Sequence, residues 1–466
     1  MSEISKRRVA LGATLLMLSA CALGPDYKRP DLDIPAGFKE QAGWKISEPT
    51  KADSNHPWWA IFNDPELDQL ERQVDVSNQT IKASEAAYRQ AVAASDAATA
   101  ALFPTISLDG SATRSKTAGT SRIGPTVAND IGLSAGASWV LDIWGKLRRQ
   151  EEAAQAQAVA SEGDLAGARL TEQAALATDY FTLRSTDQLL RLLDAAVAAY
   201  TKSLDITRNQ YKSGTAAKSD VAQAESQLET TRAQFISAGI QRAQLEHAIA
   251  VLVGKPPAEF SLAAAGDLGD PPEVPVMIPS ALLERRPDIA AAEANVTAAN
   301  AQIGVAITAF FPSITLSGSY GYQNTAFSNL LNASHNVWSF GPSMAETLFN
   351  GGALNAQLAQ ARAAYDQQVA NYRLAVLTAF QGVEDQLNAV STLVRQQEAE
   401  DHAVASASEA ERLILNQYRA GTVAYTSVVT AQTAALTARE SALTIRQNRL
   451  LDTVTLIQDL GGGWAR

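Results

Sequence analysis

The hexapeptide Phe103-Pro104-Thr105-Ile106-Ser107-Leu108 returns 208 residues later as Phe311-Pro312-Ser313-Ile314-Thr315-Leu316. Asn209-Gln210-Tyr211-Lys212-Ser213-Gly214-Thr215 returns at 207 as Asn416-Gln417-Tyr418-Arg419-Ala420-Gly421-Thr422, and Arg242 and Gly254 return as Arg449 and Gly461. Trp144-Gly145 faces Phe349-Asn350-Gly351 at 205 to 206. Four landmarks in one order at nearly one offset mean a tandem duplication, so any fold for this chain must be built from two copies of one unit. The copies cover residues 64–254 and 280–461. Between them, residues 255–279 carry Pro256, Pro257, Pro271, Pro272, Pro275 and Pro279 and read as a linker. Residues 462–466 form a short tail.

Within each copy the hydrophobic period changes twice. Residues 64–101 read as helix, stopped by Phe103-Pro104 because proline disfavours helical geometry in the residue before it. Ile106, Leu108, Gly110 and Ala112 then alternate with Ser107, Asp109, Ser111 and Thr113, and Ile131, Leu133, Ala135, Ala137, Trp139 and Leu141 alternate with Gly132, Ser134, Gly136 and Ser138. The second copy repeats this with Ile314, Leu316, Tyr320 and Tyr322, then Trp338, Phe340 and Met344. Period two means strands, each of about ten residues, the length a tilted strand needs to cross a bilayer. A soluble hairpin with one face on a core is the alternative. Here the interleaved face is Ser, Thr and Gly rather than Lys and Glu, and aromatics lie on or beside the apolar face, which suits a lipid-facing wall around a watery lumen. A membrane sheet tolerates no unpaired edge, and bacterial barrels start at about eight strands. Four strands per chain therefore require several chains to close one barrel.

After the strands the helical period persists over 145–212 and 351–419 without an internal proline. Such a run spans about 100 Å and implies coiled-coil packing. In the return helix 216–253, Val221, Leu228, Phe235 and Ile249 fall on one seven-residue grid and Ala224, Thr231, Ala238, Leu245 and Leu252 on another. The expected fold is mainly α, a long helical tunnel, with a membrane β-barrel portion. A solvated coiled-coil rod, as in a periplasmic structural lipoprotein or adhesin, explains the helices but leaves the four strands without a purpose.

Composition excludes several function classes. With 38 Lys+Arg against 49 Asp+Glu the net charge is −11, which leaves nucleic acid little to hold. One cysteine excludes a disulfide framework and a multi-thiolate metal site, and His56, His247, His335 and His402 show no ligand spacing. Gly132-Leu133-Ser134-Ala135-Gly136 matches a nucleophile elbow, but the serine lies inside an alternating strand instead of at a strand-to-helix turn, so no enzyme is expected. Lys6, Arg7 and Arg8 precede a short apolar run, making 1–20 a signal peptide. Leu18-Ser19-Ala20-Cys21 resembles a lipobox, so Cys21 is expected to carry a diacylglycerol and an N-acyl chain, with 21–63 as an extended anchor segment. No other cofactor is expected.

Six motifs in order resemble the TolC-like outer-membrane efflux channels, specifically their NodT lipoprotein branch. They are Gly24-Pro25-Asp26-Tyr27, Trp58-Trp59 with Phe62-Asn63-Asp64-Pro65, Leu141-Asp142-Ile143-Trp144-Gly145-Lys146, Glu284-Arg285-Arg286-Pro287-Asp288-Ile289, Phe310-Phe311-Pro312-Ser313 and Tyr418-Arg419-Ala420-Gly421. The resemblance implies a homotrimer with a twelve-stranded pore in outer-membrane lipid and a periplasmic tunnel. It also implies a periplasmic adaptor protein and an inner-membrane RND pump as partners, this chain being the passive exit duct for drugs or other small molecules. It places a periplasmic gate at the turns Gly214-Thr215 and Gly421-Thr422, with Asp220 as gating carboxylate, Tyr418 as its aromatic partner, and Lys218 and Arg419 beside them. Ser427 and Thr430 stand where the family often has acids and Val423 where an arginine can clamp the closed state, so a salt-bridged gate does not carry over. Beyond residue 20 the only methionines are Met277 and Met344, which argues against dedicated copper handling.

Overall fold

The computed structural model describes residues 22–40, 57–118, 125–264, 268–272, 274 and 285–462. The first repeat runs α1 (Pro65–Ser77), α2 (Gln79–Ala100), β1 (Thr105–Thr117), β2 (Thr126–Leu141), α3 (Lys146–Lys212) and α4 (Lys218–Leu252). The second runs α5 (Pro287–Thr308), β3 (Ser313–Asn324), β4 (Asn336–Ala345), α6 (Ala353–Arg419) and α7 (Tyr425–Asp459). Corresponding helices have equal lengths: 22 residues for α2 and α5, 67 for α3 and α6, 35 for α4 and α7. The structure corrects one alignment of the repeats. Gly145 and Gly352, 207 apart, both take the left-handed conformation (φ 79° and 92°) one residue before the long helices, so Gly352 and not Gly351 is the counterpart of Gly145.

Two compact units each draw on both repeats. The first comprises, of the described residues, those within 22–31, 87–162 and 291–373, and contains an antiparallel sheet in the order β1-β2-β3-β4. The β2–β3 pairing joins the repeats, with Trp139 opposite Leu316 and Ala135 opposite Tyr320. At the helix-proximal end the Trp139 indole donates to the Leu102 carbonyl at 2.8 Å, and Trp144 donates to the Pro312 carbonyl at 2.8 Å while its ring lies 4.9 Å from that of Phe311. An N-terminal strap runs along this unit. Leu23 N–H donates to the Trp144 carbonyl, and Arg149, 5 % exposed in its side chain, donates to the Leu23 and Gly24 carbonyls and pairs with Asp26 at 2.9 Å. Further along, Arg29 donates to Tyr372 and pairs with Glu293.

The second unit holds two hydrophobic clusters, one around Trp59, Leu67, Tyr180, Phe181, Ile249 and Val454, the other around Leu193, Tyr200, Leu228, Tyr418 and Tyr425. The helix expected over 64–101 is broken at Asn78, whose backbone is extended (ψ 132°). The buried Asn78 side chain explains the break. Its oxygen accepts from Ile81 N–H and so caps α2, while its amide donates to Glu172 at 2.8 Å and to the Leu252 carbonyl at 3.0 Å. A helical Asn78 could not reach all three. In α4, Ala224, Leu228, Thr231 and Ala238 form a buried seam at steps of four, three and seven residues, while Phe235, which the seven-residue grid also includes, stays 36 % exposed. Pro287 opens α5, where its missing N–H has no intrahelical partner to lose. Arg286 grips the Asp288 carboxylate through two nitrogens and also donates to the carbonyl and carboxylate of Asp459, tying the start of α5 to the end of α7.

Candidate functional site: a two-faced sheet and paired helix tips

Strand register aligns the apolar rows of all four strands. Ile106 faces Ala137, Leu108 faces Ala135, Ala135 faces Tyr320 and Tyr320 faces Trp338. This face lies open, with Ile106 81 %, Trp338 73 % and Phe340 71 % exposed. The opposite face is a hydroxyl surface: Ser319 and Ser339 share a hydrogen bond at 2.9 Å, and Gln323 donates to Asp130 at 2.8 Å. A large exposed apolar surface backed by a polar one is what a wall between lipid and water requires. Among the described residues β1 and β4 are the two edges of the sheet, each with a row of backbone groups that no other strand pairs.

At the other functional region, both long helices end in the same turn. Gly214 and Gly421 take φ 77° and 75°, and the backbone and hydroxyl of the next residue, Thr215 or Thr422, both donate to the carbonyl five residues back, Gln210 or Gln417. Left-handed geometry reserves these positions for glycine. Asp220 accepts a hydrogen bond from Ala217 N–H at 3.2 Å across the first turn of α4, where the helix dipole favours an anion. Lys218 begins α4 and Arg419 ends α6, both exposed. Tyr418 is buried. Its hydroxyl donates to Thr207 at 3.2 Å and its ring lies 5.2 Å from Tyr425 at 64°. Burial raises its hydroxyl pKa, the hydrogen bond to Thr207 works against the rise, and the Asp220 charge adds a smaller push upward. Burial pushes Tyr425 up to about 12. Tyr200 donates to the Gln432 carbonyl and the Gln432 amide donates to Ser203, making a buried polar seam between α3 and α7.

A profile of the family described as "Outer membrane efflux protein" matches residues 70–255 and 278–462. The chain belongs to this family. It is 30 % identical over 472 residues to the "Probable efflux pump outer membrane protein TtgC" of Pseudomonas putida, covering 99 % of the chain and 96 % of that relative. It is 30 % identical over 409 residues to "Nodulation protein T" of Rhizobium leguminosarum bv. trifolii, covering 87 % and 86 %. Among solved structures, the outer-membrane channel OprN superposes with a TM-score of 0.88 at 28 % identity, over 95 % of this chain and all of that one. The protein is thus an outer-membrane efflux channel of the TolC-like type, mainly helical with a small membrane sheet.

In this efflux protein Ser134 sits mid-strand in β2 between Asp109 and Gly321, away from any strand-to-helix turn. Cys21 lies outside the described residues. Sequence reasoning named Asp220, Tyr418, Lys218 and Arg419 and did not name Thr207 and Tyr425, which contact Tyr418, or Tyr200 and Gln432, which bond to each other close by. For Tyr425 a signal existed, since it occupies the place of Lys218 in the second copy and an aromatic opening a helix beside a turn marks a packed tip. Gln432 gave none.

Proposed function

We propose that three copies of the chain close a twelve-stranded outer-membrane pore continued by a periplasmic helical tunnel, the exit duct of a tripartite system. A periplasmic adaptor and an inner-membrane RND pump supply opening and energy, and the duct conducts drugs or other small molecules passively. The relatives named as efflux pump outer-membrane proteins support the partners. The carrying observation is the open edges of a two-faced sheet whose inner pairing already joins one repeat to the next.

That pairing specifies the closure. Carried forward by one repeat, the β2–β3 register sets β4 against β1 of the next copy, so that Ala137 opposite Gly318 becomes Met344 opposite Gly110. Both then lie on the apolar face, whereas a one-residue slip would put the hydroxyl row into lipid. A Gly110→Cys, Met344→Cys double variant should therefore yield covalent dimers and trimers on oxidation, and Gly110→Cys with Ser343→Cys should not. Only monomers from the first pair would sink the closed barrel.

The mature chain is anchored through acylated Cys21. Ala22 packs against Gly145, where an added Cβ would stand 2.6 Å from the Ala22 Cα, so the chain emerges beside the Trp144–Phe311 aromatics at the foot of the sheet. Acyl chains attached there reach the lipid around the strands. Metabolic labelling with palmitate should mark the wild type, and label surviving on a Cys21→Ser variant would exclude this site. At the tips, Asp220, Lys218, Tyr418 and Arg419 form the periplasmic gate.

A further inference from the structure

The sheet carries four charged side chains, and they are sorted by face: Asp109 and Asp130 against Arg114 and Lys116. By alternation both acids lie on the hydroxyl face, where Asp109 accepts from Ser107 at 2.9 Å and Asp130 from Gln323 at 2.8 Å. Both bases continue the apolar row Ile106, Leu108, Gly110, Ala112. Across the ladder, Arg114 meets Asn129 and Lys116 meets Val127, so the facing strand offers neither base a countercharge. Both side chains are exposed. Two cations at the end of an otherwise apolar stripe have a defined use at a membrane boundary, where the hydrocarbon gives way to headgroups.

Their height follows from strand geometry. Arg114 and Lys116 stand nine and eleven residues beyond Thr105, the first residue of β1. At about 3.3 Å per residue and a tilt of about 40°, they lie roughly 23 to 28 Å above the strand's start. The apolar band of an outer-membrane barrel is about 25 Å tall. β1 rises from the helical, periplasmic side, so the two bases reach the outer-leaflet headgroups, where long basic side chains extend their charge out of the hydrocarbon.

The geometry points to a binding site for a phosphate-bearing anionic lipid of the outer leaflet, formed by Arg114 and Lys116 on the lipid face of β1. It rests on the reading of the sheet as a membrane wall. Charge complementarity favours this occupant: the chain as a whole is −11 and repels anions, so attraction must come from a local cationic pair. The guanidinium takes two phosphate oxygens at once, and the ammonium two residues along the same face, about 7 Å away, supplies a point charge to the same or a second phosphate. The apolar row below provides the surface for the acyl chains.

The test uses the full-length protein inserted into phosphatidylcholine vesicles with and without bisphosphorylated lipid A, native mass spectrometry then counting retained lipid A per chain. Arg114→Gln with Lys116→Gln should lower lipid A retention at least tenfold, while Arg114→Lys with Lys116→Arg should stay within about threefold of wild type. Dephosphorylated lipid A should bind the wild type as weakly as bisphosphorylated lipid A binds the glutamine variant. Equal retention by wild type and the glutamine variant overturns the site, and so does displacement by millimolar inorganic phosphate, which would make it a free-anion site. Failure of the wild type to insert into either vesicle overturns the membrane-wall reading, a result separate from the other two.

Discussion

Replacing Tyr418 with alanine is expected to raise the mean conductance of the reconstituted channel and to sensitise cells to large antibiotics such as vancomycin. The side chain is 5 % exposed within the tip cluster, its ring 5.2 Å from Tyr425 and its hydroxyl on Thr207. Truncating a buried aromatic costs about 3 to 5 kcal/mol, far more than an exposed contact at a helix end. The loss falls where α6 and α7 pack against α3, so the packed arrangement of the tip is what it weakens. Tyr418→Phe removes only the hydrogen bond, about 1 kcal/mol, and should stay near wild type. Asp220→Ala should act differently. In the proposed trimer Asp220 would stand in a ring of three near the pore axis and bias permeation toward cations, so on that reading its loss should weaken cation preference more than it changes conductance. Val423, which could not clamp by charge, packs against the same cluster as Tyr418. On the proposed reading of the tip as a gate closed by packing, raising ionic strength should open the wild-type channel little, and wide opening by salt alone would show the closure to be electrostatic.

Legibility in the sequence followed periodicity. The long helices were readable because a helical period runs through 67 residues without a proline, and the strands because alternation survives even where glycine stands in for an apolar side chain. The duplication supplied a check, each strand having a counterpart whose register the structure reproduces: Thr105 opposite Ser138 answers Ser313 opposite Ala345. Features resting on one side chain reaching a distant partner were invisible. Asn78 caps α2 locally through Ile81 N–H, but the amide contacts that hold it there reach residues 94 and 174 positions away, and no local pattern encodes those. The Arg286 grip on Asp459 is of the same kind, although its proline and aspartate were recognisable as a helix start. At the tip the turn glycines were legible, whereas the partner of the Tyr418 hydroxyl, 211 residues away, depends on tertiary packing.

The second large effect concerns Glu71, which is 0 % exposed in α1 and whose two carboxyl oxygens have no hydrogen-bond partner among the described residues. Burial lifts its pKa to about 9, with the neighbouring charge of Asp75 adding to the rise. Asp75 accepts from Gln173 at 2.8 Å and lies 3.7 Å from Arg169, contacts that Glu71 lacks, and with its pKa lifted Glu71 holds a proton at neutral pH. In the unfolded chain a glutamate releases that proton near pH 4.3. Between that pH and about 9 the folded protein therefore binds one proton more than the unfolded chain. Stability from this group is fully present below the unfolded pKa and is lost as pH rises toward the folded one. One proton corresponds to at most about 1.4 kcal/mol per pH unit, so warming scans at pH 5.5 and 7.5 should differ by up to about 2 to 3 kcal/mol on this account. Glu71→Gln keeps the shape and the neutral amide has no proton to lose. The variant should match the wild type at pH 5, exceed it at pH 8, and show a flatter dependence of Tm on pH. Parallel wild-type and variant profiles would mean that the Glu71 carboxyl is ionised in the folded protein and finds a countercharge there.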